Sequence, residues 1–302
     1  MITFGCSWTY GVGVNYQPNM NKEVFEKDAW NEEICNNLSW RGVICKKYNI
    51  QNINFSLPGS SNQKQFRQAE NFFPTDKFKK LQKQYDRIIV LWGITSTARN
   101  EVYSVDDKNI KDLFYHQDSK LSKFLLLNCY SHSYEVAVIR RQMIFWEHYF
   151  SLLNIENYWF DTLNTHNYHV NDFKFFNDLP TKEQYQTTAG SDWPSFENFC
   201  SGNFKGISDK IIQEITSIYN NILPPRNILD NDMSARDLMS WLCLQSDIQN
   251  FDDSYHLSRW EVDGGRIEHL KSKKIVNPIS LHPTKDAHEK LAEYFSERIK
   301  FN

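Results

Sequence analysis

The sequence predicts an α/β protein: a three-layer α/β/α sandwich built on a parallel sheet, with large insertions. Three observations point there. Short apolar runs alternate along the chain with segments of helical periodicity, the order strand, helix, strand, helix, strand that marks the class. One of those runs, Ile88 to Leu91 in "YDRIIVLWGITS", is continuously apolar, as expected of a strand covered on both faces. Glycine is scarce, 11 in 302 residues, yet five fall at Gly5, Gly11, Gly13, Gly59 and Gly93. Of these, Gly5, Gly59 and Gly93 sit where a predicted strand or its connection gives way to a loop.

The elements follow in order. Residues 2 to 5 form a short buried strand. "SWRGVICKKY" sets Trp40, Val43 and Ile44 at helical spacing after Ser39, a candidate N-cap. In "NINFSLPGSSNQKQFRQAENFF" a strand around 52 to 56 meets a Pro58-Gly59 turn, then a helix begun by Ser60 or Ser61. The strand at Ile88 to Leu91 ends at Gly93. From 134 to 153, Val136, Ile139, Met143, Trp146, Phe150 and Leu153 recur at three and four, which predicts a long amphipathic helix. "NYWFDTLN" reads as a fourth strand. Residues 166 to 275 are aromatic, rich in Asn and Asp and poorly periodic, apart from a helix near 233 to 248. In "LHPTKDAHEKLAEYFSERI" Thr284 can cap a helix whose apolar face is Ala287, Leu291, Tyr294 or Phe295, and Ile299, with Asp286 suiting its dipole. With no repeats and no low-complexity linker, a single domain over 1–302 is expected, with insertions around 100–133 and 166–275.

Composition narrows the function. A hydrophobic share of 40% can fill a sizeable core. The net charge of −3 gives no reason to expect nucleic acid or an anionic membrane as partner. Lys79-Lys80 and Lys271 to Lys274 read as solvated surface. No apolar run reaches the length of a membrane helix, and no signal-like segment stands at the N-terminus, so a cytoplasmic protein is expected. The six cysteines, Cys6, Cys35, Cys45, Cys129, Cys200 and Cys243, lack metal-like spacing and read as reduced thiols. His166 and His169 lack acidic or Cys partners at motif spacing and read as surface loop, so no metal is expected. The glycines fit no phosphate-binding pattern. Aromatics reach 15%; they fill the core or line a groove that stacks flat ligands such as sugars.

In an open parallel sheet, ligands bind outside the carboxyl ends of the strands, where the loops at Gly5, Gly59 and Gly93 can meet. These loops, taken in order, resemble the SGNH (GDSL-type) hydrolases. "FGCSWTYG" is similar to that family's first block and sets Ser7 at the nucleophile. "NFSLPGSSN" is similar to the second, with Gly59 at the glycine whose N–H helps form the oxyanion hole. "VLWGITS" is similar to the third, and "LHP" before a helix to the fifth, with His282 as the base. The match covers roughly the first 100 and last 25 residues. Cys6 stands where the family has Asp, Thr95 where it has an Asn that donates to the oxyanion, and Ile279 where D-x-x-H has its acid. The G-C-S form resembles SGNH proteins of bacteria and their viruses.

The chemistry calls for these parts independently. A serine hydroxyl needs a base, and His titrates in the right range. Ser7 and His282 supply the pair; the N–H groups of Ser7 and Gly59 and the Thr95 hydroxyl are candidate oxyanion donors. Candidates for orienting the imidazole are a backbone carbonyl or an acid from the middle of the chain, Asp252 or Asp253. Nothing marks Cys6 as a nucleophile in its own right, and Arg99 reads as a surface arginine. His288 is expected to pack on its helix. The expected function is hydrolysis of an O-acyl ester through an acyl-enzyme on Ser7, with no cofactor. The resemblance implies O-acyl carbohydrates, lipids or small esters as substrate, the aromatic middle favouring a glycan. A non-catalytic binding or structural protein of this fold and an acyltransferase are the alternatives.

Overall fold

A computed structural model describes residues 1–95, 99–114, 132–162 and 270–301, together with positions 238, 241, 242 and 245. Four parallel strands form the central sheet in the order β2-β1-β3-β6: β1 (Ile2–Phe4), β2 (Ile53–Asn54), β3 (Ile89–Ile94) and β6 (Glu156–Asp161). Phe4 pairs in register with Trp92, and Trp92 with Trp159. The chain is α/β, as the strand and helix alternation implies.

Both faces of the sheet are covered. On β3, Ile89 and Leu91 point into one apolar cluster with Trp40 and Ile44 of α4 (Trp40–Tyr48) and Leu291 and Phe295 of α8 (Lys285–Arg298). Val90, Trp92 and Ile94 point into the other. There they meet Phe66 of α5 (Asn62–Phe72), Phe78 of α6 (Asp76–Gln84), and Met143 and Phe150 of α7 (His132–Leu152). This is why β3 reads as a continuous apolar run. Four aromatic rings cross the second face in a row: Phe55, Phe4, Trp92 and Trp159, with successive centroids 5.1, 4.3 and 4.9 Å apart and planes within 17°. Such stacking adds about 0.5–1.5 kcal/mol per pair beyond burial. A one-residue slip would turn alternate rings to the opposite face, so the row fixes the register.

Most expected elements appear, with shifted ends. α5 starts one residue after Ser61, whose Oγ accepts from Lys64 N. Ser39 and Thr284 stand at the N-cap positions of α4 and α8, but neither side chain makes the capping bond. Thr284 Oγ1 donates to the carbonyls of Lys274 and Ile275 instead. β3 runs through Gly93 to Ile94, so Gly93 is a strand residue and not the turn it was expected to mark. The expected faces of α7 and α8 are buried: Ile139, Met143, Trp146 and Phe150 on one, Ala287, Leu291, Tyr294, Phe295 and Ile299 on the other. Leu238, Trp241 and Leu242, from the helix expected near 233 to 248, lie in the α4/α8 cluster. The aromatics of the described residues that exceed ordinary usage serve largely as core. Those of the 166 to 275 stretch lie outside the described residues, apart from Trp241.

Three short helices and a hairpin went unread in the sequence. α2 (Lys22–Asp28) and α3 (Glu32–Leu38) are capped by Asn21 and Asn31, which accept from Val24 N and Ile34 N. α6 is capped by Thr75. The hairpin, β4 (Arg99–Ser104) with β5 (Asn109–Phe114), occupies the start of the first expected insertion. It is tied to α5 by a two-pronged Arg67–Glu101 pair at 2.9 and 2.6 Å and by Lys64–Asp112 at 2.6 Å. No helix among the described residues is long and apolar enough to cross a membrane.

α8 docks on α4 partly through His288, fully buried, whose Nδ1 accepts from Trp40 N at 3.3 Å. It packs as expected and also caps its neighbour. Burial, then the nearby charges of Arg41 and His282, pushes its pKa down to about 3. Unfolded His titrates near 6.5, so below that pH only the unfolded chain takes up the proton and stability falls. At about 1.4 kcal/mol per pH unit, acidification from pH 6.5 to 5 costs about 2 kcal/mol from this residue. His288→Asn is expected to flatten that part of the slope in urea titrations at a series of pH values.

Candidate functional site

The site forms where the carboxyl ends of β1 and β3 meet the segment before α8. β1 ends at Phe4, and after Gly5 and Cys6 the chain turns into α1 (Ser7–Tyr10), a single turn that begins on Ser7. The turn lies close over the sheet because two strand-end residues lack side chains: a Cβ at either Gly5 or Gly93 would collide with the Thr9 side chain. This steric demand, not a turn, explains both glycines. Gly11 ends α1 at φ 101°, its N–H bonding Ser7 O.

From the segment before α8, His282 reaches Ser7. Its Nε2 lies 2.7 Å from Ser7 Oγ, across 275 positions of chain. On the other side of the ring, Nδ1 lies 2.6 Å from Ser280 O and 3.1 Å from Ser280 Oγ. A carbonyl can only accept, so Nδ1 carries the proton and Nε2 presents its lone pair to the serine hydroxyl. That is the tautomer a general base requires. Burial drives the His282 pKa down to about 4; the Ser280 carbonyl acts against this, and the positive charge of Arg99 adds to it.

The loop that aims His282 is held by Asn277, fully buried. Its Oδ1 accepts from Ile279 N, Ser280 N and Ser280 Oγ at 3.2, 2.8 and 3.0 Å. Its Nδ2 and backbone N both donate to His282 O at 2.9 Å. The Ser280 hydroxyl proton is thus spent on Asn277, leaving its oxygen to accept from His282. Ile279 occupies the position of the expected acid, and its backbone N–H serves this loop. Asp252 and Asp253, the candidate acids from the middle of the chain, lie outside the described residues, as do His166 and His169. Asn277 went unrecognised because its six bonds, among them Leu281 N to its own carbonyl, run to backbone and hydroxyl groups that no motif spacing encodes.

The candidate oxyanion donors fall into two groups. The segment after β2 runs beside β1, with Phe55 N bonding Thr3 O at 2.8 Å and Leu57 N bonding Gly5 O at 3.1 Å. It then turns at Pro58-Gly59, closed by Ser60 N to Leu57 O, with Gly59 at φ 72°. Gly59 thus follows Leu57 by two residues, as Ser7 follows its partner Gly5, and neither N–H donates to another group among the described residues. Thr95 follows β3 and is fully buried. Its N–H and carbonyl are both held by Asn62, each at 2.8 Å, and among the described residues its hydroxyl has no partner. Gln65 Nε2 also donates to Gly93 O. Asn62 and Gln65, a pair the sequence did not single out, therefore fix the end of β3 from α5.

Arg99 is corrected from a surface residue to a half-buried one whose guanidinium lies near Cys6, beside Ser7. Among the described residues no group of three or more His, Cys, Asp and Glu side chains could hold a metal.

Gly13 packs under the His282 loop at φ 102°. A Cβ there would meet Pro283 O at 2.5 Å and His282 Cβ at 3.0 Å. Gly13→Ala must therefore push the imidazole off Ser7, and a displacement of about 1 Å can cost about a hundredfold in rate. The expected result is a folded protein, by circular dichroism, whose Ser7 reacts at least tenfold more slowly with a serine-directed fluorophosphonate.

Neither the protein-family models nor the curated proteins give a match to this chain, and the case for a function rests on its own residues.

Proposed function

We propose that this protein is a serine hydrolase of the SGNH type that cleaves an O-acyl ester, with Ser7 as nucleophile and His282 as general base. The observation that carries this reading is the 2.7 Å contact between Ser7 Oγ and His282 Nε2, with the opposite ring nitrogen occupied by an acceptor. A hydroxyl and an imidazole so far apart in sequence have no local reason to meet, and the tautomer is the one that removes the hydroxyl proton.

In the reaction, Ser7 Oγ attacks the ester carbonyl as its proton passes to His282 Nε2. The N–H groups of Ser7 and Gly59, and the Thr95 hydroxyl, are the proposed donors to the oxyanion. In other enzymes the loss of one such donor costs roughly 3–4 kcal/mol. Collapse of the tetrahedral adduct transfers the proton from His282 to the departing alkoxide and leaves an acyl-Ser7. Water, deprotonated by the same imidazole, then releases the acid. Nδ1–H stays on Ser280 O throughout and steadies the imidazolium. The substrate is proposed as an O-acylated carbohydrate or a small ester in the cytoplasm.

A fluorophosphonate is expected to modify the wild type, to leave Ser7→Ala untouched, and to react with His282→Ala at least about a thousandfold more slowly. Equal labelling of wild type and Ser7→Ala overturns the reading, and so does failure of the wild type to react. Competition between water and an acceptor alcohol, with analysis of the products, separates hydrolysis from acyl transfer.

The lowered pKa of His282 gives a second expectation. The base is active only when neutral, so the labelling rate falls as pH drops through about 4, not through the ordinary imidazole value near 6.5. The check is a rate profile from pH 8 to 4 on protein shown to be folded at each pH.

A further inference from the structure

α1 carries the nucleophile yet is only four residues long. One turn of helix fixes several dihedral angles for a single hydrogen bond and does not hold its shape alone in water. Its last carbonyls, those of Thr9 and Tyr10, have no partner within the helix. Both are taken by one side chain. Arg41, in the first turn of α4 and fully buried, donates from Nε to Thr9 O at 2.7 Å and from Nη2 to Tyr10 O at 2.8 Å. Its Nη1 is held in turn by Asn36 Oδ1 at 3.2 Å and Asn52 Oδ1 at 3.0 Å.

All four acceptors are neutral oxygens. Taking a guanidinium out of water costs several kcal/mol, and a buried cation is ordinarily kept near a carboxylate. Burial accordingly lowers the Arg41 pKa to about 10, which leaves it charged at neutral pH. The group is thus expensive, and its hydrogen bonds converge on the turn that presents Ser7. A planar fork can span two successive carbonyls at once, whereas a lysine ammonium is a single point that cannot reproduce the pair of directions.

We propose that Arg41 is a positioning residue for the nucleophile: by gripping the Thr9 and Tyr10 carbonyls it sets the rotation of α1, and hence the aim of Ser7 Oγ at His282. This rests on the reading of Ser7 as a nucleophile. It adds that the rate, and not only the fold, depends on a side chain that touches neither substrate nor base. Asn36 and Asn52 also line a surface cavity of about 590 Å³, so the Nη1 end of the guanidinium is the end that a small solute can approach.

The test is the fluorophosphonate reaction resolved into its maximal rate and its half-saturating concentration, in wild type, Arg41→Lys and Arg41→Ala, with thermal unfolding measured alongside. In folded Arg41→Lys the maximal rate is expected to fall at least thirtyfold while the half-saturating concentration moves less than threefold. Millimolar methylguanidinium is expected to restore at least a tenth of the lost rate to Arg41→Ala and to do nothing for the lysine variant. A folded Arg41→Lys that reacts within twofold of wild type overturns the proposal, because a purely structural role lowers the melting temperature without slowing the folded molecules. Should both Arg41 variants fail to fold, Asn52→Ala, at the half-exposed end, removes one of the four bonds and is expected to slow the reaction about threefold; an unchanged rate there overturns the proposal. A wild type that does not react removes the parent reading instead, so the two failures are distinguishable.

Discussion

The hydrogen bond between Ser7 and His282 closes a loop of 275 positions, and the surrounding architecture can be understood as the set of conditions for that closure. β1 must pair with β3 so that the first residues lie at the centre of the sheet. α1 must lie flat on the strand ends, which Gly5 and Gly93 permit by leaving room for Thr9. α8 must dock on α4, and the loop before it must pass over Gly13. Packing, which is non-directional, meets most of these conditions, with strand pairing and the His288 bond to Trp40 N adding directional contacts. The final aim is set by hydrogen bonds, which are directional: six at Asn277, four at Arg41 and two at Nδ1 of His282.

This division of labour has an energetic logic. The apolar clusters on the two faces supply most of the stability, and aromatic stacking fixes the strand register. Several of the buried polar groups hold the loops and helices around the site, while others, such as Asn157 and Arg140, lie elsewhere. Arg41, Asn62, Gln65, Asn277 and His288 are each almost wholly enclosed, and each costs desolvation that its bonds must offset. Such groups contribute little net stability compared with apolar residues of similar volume, but they restrict the backbone to one geometry. Around Ser7 and His282 these groups set geometry at the expense of added stability.

What the sequence disclosed follows the same line. Elements with long apolar periodicity were legible: β3 from its continuous run, α7 and α8 from their stripes, α5 from its Ser61 cap. α2, α3 and α6 are two-turn, mostly polar helices with one or two buried residues each, and so lack the stripe that announces a helix; only their Asn and Thr caps mark them. Ser7 and His282 were legible because each sits in a short block with its neighbours in a recognisable order. The group that orients His282 was left between a backbone carbonyl and an acid. The Ser280 carbonyl lies at Nδ1, a contact that depends on backbone direction, which side-chain types do not encode. Arg41 was hidden for the same reason, since its partners are main-chain oxygens on another element. Gly93 misled because glycine in a strand looks like a strand end until the Thr9 side chain it accommodates is seen.

The union of opposite stretches of the polypeptide also has a consequence for the order in which the protein becomes competent. On the proposed reading, the hydroxyl remains an ordinary alcohol until the 275 positions that separate it from His282 have been made. The imidazole is brought to it when α8 packs against α4. A chain without His282 lacks the base that the proposed reaction requires.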